Sequence, residues 1–329
     1  MRWFPLFRRL PKMKVTDILA QAKGPLFTFE VVPPLKGANV QTLMQTIRIL
    51  SAYHPAYINI TNHQSEVVYV DRSDGLVERK VVHKRPGTVA LSALIQYTFG
   101  IPVVSHIICG GQTSEEIENS LVELNFLGID NVLALRGDPP VGQRRFISVP
   151  GGWNHSDQLV EQINGLNHGR YLESTVKDPL ATNFCIGVAG YPEKHAEAPN
   201  RESDVACLKR KVEKGAEYIV TQLFYDNTKY YAFVDACRNM GITCPIIPGL
   251  KPLSSRKDLE TIPQTFHVDI PRDLSEAVTK ASGIEEIRDV GVEWAVMQTK
   301  DLLAHHVPGV HYYTLGKPES VARVVEASF

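Results

Sequence analysis

The chain has 329 residues, a hydrophobic fraction of 43% and a formal net charge of -1. That is enough apolar material for a large core, in two small domains or in one α/β domain of barrel size, about 250 residues. The charges form no long block of one sign, which argues against nucleic acid or an anionic membrane as a partner. No run reaches the roughly 18 apolar residues of a membrane span. The five cysteines, Cys109, Cys185, Cys207, Cys237 and Cys244, are odd in number and lack CxxC spacing. They are expected to be small buried residues of a reducing, cytoplasmic protein, and no metal site is expected from them.

The opening, MRWFPLFRRLPKMKVTDILAQ, is basic and aromatic, but Pro5 and Pro11 interrupt any helix. No signal-peptide core or cleavage site follows. Residues 1–12 are expected to be a loosely held extension or an over-called start, with a membrane-surface anchor as the weaker alternative. Residues 13–329 are expected to form a single catalytic domain.

Short β-like runs then alternate with helical stretches. The first run, LFTFEVV, carries Glu30, and the second, AYINIT, ends in Thr61 with Asn62 following. A long connection, Val67–Phe99, holds the charged stretch DRSDGLVERKVVHKRPG before an apolar, helix-like segment. The third run, PVVSHIIC, carries His106. In the helical stretch TSEEIENSLVELNFLG, Thr113 and Glu116 fit a capping box, Ile117, Leu121 and Leu124 share a face, and Gly128 is placed to end the helix.

The fourth run, NVLALRG, stops on Arg136, Gly137 and Asp138 before two prolines. A second long connection, Pro139–Thr182, contains a helix within GGWNHSDQLVEQINGLNHG. The fifth run, FCIGVAG, leads into Tyr191 and His195. In the next helix, SDVACLKRKVEKG, Ser203 can cap, Val205, Leu208 and Val212 form a stripe, and Gly215 closes. The sixth run, EYIVTQLF, carries Thr221 and Gln222, and CPIIPGL and VHYYTL complete the series. Most runs are continuous, as expected of parallel strands covered on both faces. Eight of them with helical connections predict an α/β fold of the (β/α)8, or TIM barrel, type. An open doubly wound sheet is the alternative, weakened because no GxGxxG follows the first strand.

In a barrel the strand C-termini converge on one mouth, and polar residues collect there. Glu30 sits inside an apolar run, where an ionised carboxylate is costly unless paired; a raised pKa would suit a general acid. Structural pairing is the alternative. His106 alone reads as a satisfied core histidine, Gln222 as a strand-end hydrogen-bonding group, and Asp138 as a turn organiser as readily as a site residue. The basic run LKRKVEKG suits a helix C-terminus, but Asp204 and Lys211 share a face, where a phosphate-bearing ligand would also account for Arg210 and Lys211.

Several stretches together resemble the methylenetetrahydrofolate reductase family. They are FTFEVVPP, HIICGGQTSEEIENSLVELNFLGIDNVLALRGDPP, IGVAGYPEKHAEAP, DVACLKRKVEKGAEYIVTQLFYD, IIPGLKPLSS and HYYTL, in the family's order over about Leu26–Leu315. The resemblance is to the compact bacterial form. It implies FAD at the strand C-termini and ping-pong transfer of hydride from NADH or NADPH through the flavin to 5,10-methylenetetrahydrofolate. The product is 5-methyltetrahydrofolate, which places the activity in one-carbon metabolism and methionine biosynthesis.

By the same resemblance Glu30 is the general acid that opens the imidazolidine ring to an iminium. Asp138 tunes the flavin and favours that cation. Gln222 meets the pterin and the nicotinamide, and Thr61 the nicotinamide. Asn62, His106, Arg136, Gly137, Tyr191, His195, Ala198, Asp204, Arg210 and Lys211 match flavin-contacting positions. Departures occur. TNHQSEVV replaces a Gly-rich loop near Asn62, and Cys207 replaces an asparagine, a poorer hydrogen-bonding group at the flavin. Asp258 falls near a substrate-touching glutamine. Lys317 replaces an arginine that reaches the folate tail, keeping the charge but not the bidentate geometry. The rivals are another flavin barrel such as proline dehydrogenase, a non-redox pterin-binding methyl-transfer protein and a silent scaffold subunit. Oligomeric state is left open, a homo-oligomer included.

Overall fold

The computed structural model describes residues 13–139, 143 and 145–329. The expected N-terminal extension, residues 1–12, lies outside the described residues, as does the second proline after Asp138. The strands are β1 (Phe27–Val31), β2 (Ile58–Ile60), β3 (Glu66–Asp71), β4 (Val77–Val82), β5 (Val103–Ile108), β6 (Asn131–Leu135), β7 (Cys185–Gly190), β8 (Tyr218–Leu223), β9 (Ile246–Leu250) and β10 (Val310–Tyr313). The helices are α1 (Val15–Gln21), α2 (Val40–Ser51), α3 (Thr88–Phe99), α4 (Ser114–Phe126), α5 (Ser156–Asn167) and α6 (Arg201–Glu213), then α7 (Asn227–Asn239), α8 (Asp258–Phe266), α9 (Arg272–Lys280), α10 (Ile284–Ala304) and α11 (Pro318–Ser328).

Eight strands close in the order β1-β10-β9-β8-β7-β6-β5-β2, each pair parallel, and they are the eight runs expected from the sequence. Both faces of each are covered, which is why the runs read as continuous. Among the described residues no helix is long and apolar enough to cross a membrane. The capping box at α4 forms as expected: Thr113 Oγ1 accepts from Glu116 N at 3.2 Å and Glu116 Oε2 from Thr113 N at 2.8 Å. Cys109, Cys185 and Cys237 are buried, Cys207 and Cys244 half-buried, and all five are free.

One local expectation needs correction, and one stretch left without a structure gains one. The cap of α6 is Asn200, one turn before Ser203, whose backbone N–H it accepts at 2.8 Å. The charged part of the Val67–Phe99 connection is an antiparallel hairpin, β3 with β4, turning at Asp74-Gly75, where Gly75 has φ +79°. An Asp-Gly between β-branched runs is a hairpin signal that the surrounding charges hide.

The strands sort their side chains by alternation. Phe27, Phe29, Val31, Val310 and Tyr312 face outward and pack with Leu43, Ile47, Val321 and Val325 of α2 and α11. Inside, the N-terminal end is apolar: Tyr57, Val104, Leu133, Cys185, Tyr218, Val220 and Ile247 cluster with Val15 and Ile18 of α1, which seals that end. Asn131 fastens the seal by accepting from Val15 N at 2.9 Å. Toward the C-terminal end the interior turns polar, with Thr28, Glu30, Asn59, His106 and His311 all buried. Tyr313 leans across this end and donates its phenol to Thr221 O at 2.6 Å. Gly249 makes the room, since a Cβ there would lie 2.4 Å from Thr221 O and 2.6 Å from the Tyr313 ring.

Two tests follow from this interior. Gly249→Ala should destabilise by about 1–3 kcal/mol through overpacking against backbone, read as a lower thermal midpoint; an unchanged midpoint would show that the seam is not close-packed. Burial, opposed by Glu30, lowers the His106 pKa from 6.5 to about 4. The unfolded chain therefore binds more protons than the folded one between these values. Stability is complete above about 6.5 and falls by about 3 kcal/mol as pH drops toward 4. His106→Gln should lack that share of the acid loss, measured as urea midpoints across this range.

Candidate active site

The C-terminal ends of the barrel strands form the mouth, where barrel enzymes place their chemistry. Glu30, 6% exposed, is the penultimate residue of β1. The expectation of an apolar setting is corrected by the alternation just described. Phe29 and Val31 point to the helices, while Glu30 points into the polar interior, with His311 Nε2 at 3.9 Å from its Oε2. His311 is fixed from its other side by a 2.7 Å bond between Nδ1 and Thr28 Oγ1, and its ring meets Tyr313 edge-on at 4.9 Å. His106 Nε2 lies 3.3 Å from Asn59 Oδ1, whose amide nitrogen is buried without a partner.

After β2, Thr61 Oγ1 and His63 Nε2 are 3.1 Å apart, and Asn62 is half-buried beside them. Burial and then Arg85 lower the His63 pKa, against the pull of Glu30, Asp138 and Glu66. Gln64 donates to Asp138 O at 2.6 Å and so ties this loop to the end of β6.

β6 runs out into Arg136, Gly137 and Asp138. Gly137 has φ +87°, a backbone turn that favours glycine and leaves Asp138 exposed at the mouth. Arg136 pairs with Glu197 at 2.6 Å and lies over the Phe146 ring at 5.1 Å. Beyond β7, Tyr191 and His195 meet edge-on at 4.7 Å. Burial pushes Tyr191 up to about 12, and burial followed by Arg136 lowers His195. Ala198 closes the same loop, its N–H on His195 O at 3.0 Å and its carbonyl accepting from Lys194.

The basic run of α6 divides by helix rotation. Lys209 donates to Gly241 O and Lys214 pairs with Asp157 and Glu161, so these two are structural. Asp204 and Lys211 instead face the end of β7: Asp204 accepts from His195 N at 3.0 Å and Lys211 donates to Ala189 O at 3.2 Å. Burial lowers the Lys211 pKa, with Asp204 opposing. Arg210 is exposed and donates to Cys207 Sγ at 3.0 Å.

On the far side of the mouth Gln222 is half-buried beside a β8–β9 register shift, its Oε1 accepting from Leu223 N at 2.9 Å. A cavity of about 180 Å³ opens between the loops after β9 and β10, lined by Lys251, Ser254, Asp258, Tyr313 and Lys317 among others. Asp258 is not a free substrate contact. Its oxygens take the N–H and hydroxyl groups of Ser254 and Ser255 and the ammonium of Lys251 at 3.3 Å. Lys317 reaches Ser254 Oγ at 3.0 Å.

The expected residues thus fall into three groups around one opening. The flavin-type positions gather after β2 and β5–β7, Gln222 and Lys317 lie on the β8–β10 side, Asp138 follows β6, and Glu30 stands on β1, between β10 and β2. The sequence reading missed His63, Lys251 and His311. The signal for His311 was present: two residues before Tyr313, it shares that residue's face of the strand.

Comparison with known proteins identifies the family. Residues 14–328 match the methylenetetrahydrofolate reductase family model. Methylenetetrahydrofolate reductase (NADH) 1 of Arabidopsis thaliana is 32% identical over 326 residues, covering 95% of this chain and 49% of that protein. Methylenetetrahydrofolate reductase 1 of Schizosaccharomyces pombe is 28% identical over 323 residues, covering 95% and 48%. A probable methylenetetrahydrofolate reductase (NADPH) of Caenorhabditis elegans is 24% identical, covering 99% and 45%. The chain spans about half the length of these relatives. Among solved structures, an uncharacterized protein from Clostridium thermocellum that binds two copies of 5-methyl-5,6,7,8-tetrahydrofolic acid superposes with a TM-score of 0.57 at 16% identity, covering 94% of this chain and 96% of that one. At that identity the likeness speaks for the barrel alone. With nearly its whole length matched, the chain belongs to the methylenetetrahydrofolate reductase family.

Proposed function

We propose that the chain reduces 5,10-methylenetetrahydrofolate to 5-methyltetrahydrofolate, with NADH or NADPH as donor and FAD as the intermediary. The observation that carries this reading is the pair of unlike carboxyl groups at one mouth, Glu30 buried and Asp138 exposed. Two carboxyls in different environments can take different roles, one holding a proton and the other a negative charge.

The residues on the β5–β7 side suit FAD. A half-buried ammonium, Lys211, stands among Arg136, His195 and Asp204, and Arg210 precedes it on the helix. Such cations suit a pyrophosphate, the rings of Tyr191 and His195 suit a flat heterocycle, and the unpartnered amide of Asn59 beside His106 leaves a donor for a carbonyl. Asn62, Gly137 and Cys207 complete that wall. When bound, FAD supplies a centre that takes hydride from the nicotinamide and returns it to the folate carbon.

The protein's own part is proton placement, charge placement and orientation. Glu30 gives a proton to the folate ring nitrogen whose bond to the methylene carbon breaks. Asp138 stabilises the iminium cation left on the substrate. Thr61 and Gln222 orient the nicotinamide and the pterin in turn, which fits ping-pong use of one opening. Lys317 offers its ammonium to the carboxylate tail.

The reading is tested on purified protein reconstituted with FAD. NADH or NADPH should bleach the flavin spectrum, and 5,10-methylenetetrahydrofolate should restore it. A protein that cannot be loaded with FAD, or whose bleached flavin ignores the folate, overturns the assignment. Glu30→Gln should leave bleaching within about threefold and slow recovery by about 10²–10⁴-fold. Asp138→Asn should shift the flavin potential and slow recovery more than it alters the thermal midpoint; the opposite order would make Asp138 a turn residue only.

A further inference from the structure

A buried general acid raises a supply problem. Once Glu30 has given its proton away, a carboxylate is left at a position 6% exposed, and another proton must reach it before the next turnover. Desolvation alone can hold a proton on a carboxyl group but cannot deliver one.

The seam between β1 and β10 offers a source. The strands pair so that Thr28 lies opposite His311 and Glu30 opposite Tyr313. His311, 2% exposed, is therefore held between two residues of β1. Its Nδ1 is 2.7 Å from Thr28 Oγ1 and its Nε2 is 3.9 Å from Glu30 Oε2. With the hydroxyl of Thr28 donating to Nδ1, a neutral ring carries its proton on Nε2, toward Glu30. A ring that releases this proton keeps another on Nδ1, for which Thr28 Oγ1 turns to accept. The gap exceeds a hydrogen bond, but catalytic contacts often tighten only when substrate closes the site.

The other groups facing Glu30 are poorly suited to this task. His106, from β5, is held neutral down to about 4 by burial. Tyr313, from β10, is a phenol that burial and then Glu30 push well above its ordinary range. His63, after β2, is lowered by burial and then Arg85, and its Nε2 is engaged with Thr61.

We propose that His311 is the proton store and positioning residue for Glu30, an inference that rests on the reductase reading above. Between turnovers the pair holds one proton, shared between His311 Nε2 and Glu30 Oε2. When the folate arrives, the Nε2–H bond breaks and the proton passes through Glu30 Oε2 to the substrate nitrogen. That nitrogen keeps the electron pair of the carbon–nitrogen bond that opens. Glu30 is left as carboxylate and His311 as neutral imidazole, and one proton from water recharges the pair after product leaves. One proton is consumed per turnover, matching the overall reduction.

The test follows the two half-reactions of His311→Asn by rapid mixing with FAD-loaded protein from pH 6 to 9. Flavin reduction by NADH should stay within about twofold of wild type. Reoxidation by 5,10-methylenetetrahydrofolate should fall by about 10–100-fold, with folate KM within about threefold, and its high-pH limb should move at least about one unit lower. Thr28→Val, which removes the bond that aims the ring, should act in the same direction by about three- to tenfold, and it decides the matter if His311→Asn does not fold. Equal loss in both half-reactions, or reoxidation within about threefold of wild type with an unmoved pH limb, overturns the proton store. A wild type whose reduced flavin ignores the folate overturns the reductase reading and this inference with it, whereas an active wild type with an unaltered His311→Asn overturns this inference alone.

Discussion

The pairing of β10 with β1 closes the ring and sets the chemistry of its mouth. In that parallel register Phe29 and Tyr312 face the helices while Thr28, Glu30, His311 and Tyr313 face the axis. A slip of one residue would exchange the two sets, burying charge under α2 and α11 and filling the mouth with aromatic rings. The outward residues therefore hold the inward ones in place. The lock extends sideways, because Tyr313 fits only where Gly249 has no side chain, and its phenol then bonds β8 through Thr221 O.

The barrel interior is graded from apolar to polar. Below, Tyr57, Leu133, Tyr218 and Ile247 pack with α1 into a mainly apolar cluster. Above, Glu30, His106, His311 and Asn59 share a space where unpaired groups are costly. The lower cluster and the outer layer of helices stabilise the fold, which leaves the upper interior free to hold groups chosen for reactivity. The buried, unpartnered amide nitrogen of Asn59 is a cost the fold tolerates at this end.

The barrel was legible in the sequence because strands covered on both faces read as mostly continuous apolar runs, and eight such runs alternate with helical stretches. The capping box of α4 was legible because its two partners lie three residues apart in the chain. What escaped depended on direction rather than composition. VHYYTL reads as an apolar strand until the register shows that His311 and Tyr313 point inward. LKRKVEKG reads as one basic block until the rotation of α6 sends Lys209 and Lys214 to structural partners and Lys211 to the end of β7. The hairpin of β3 and β4 escaped because its charges outweighed the Asp74-Gly75 turn between its β-branched runs. Asn200 escaped as a cap because Ser203 offered an equally good hydroxyl one turn later.

Glu30 and Asp138 show why direction matters for function. Composition cannot separate two carboxyl groups, and in sequence each sits at the end of an apolar strand. Their surroundings separate them. Glu30 points back into the barrel, buried, with the imidazole of His311 aimed at it by Thr28. Asp138 is thrown outward by the positive φ of Gly137, and its backbone carbonyl is held by Gln64. A carboxylate in water keeps its charge at little cost, whereas one in the barrel is costly unless a proton or a cation is at hand. The first can wait as an anion for a developing positive charge. The second is useful as an acid only with a neighbour able to restore its proton, and the strand that closes the barrel is the one that carries that neighbour.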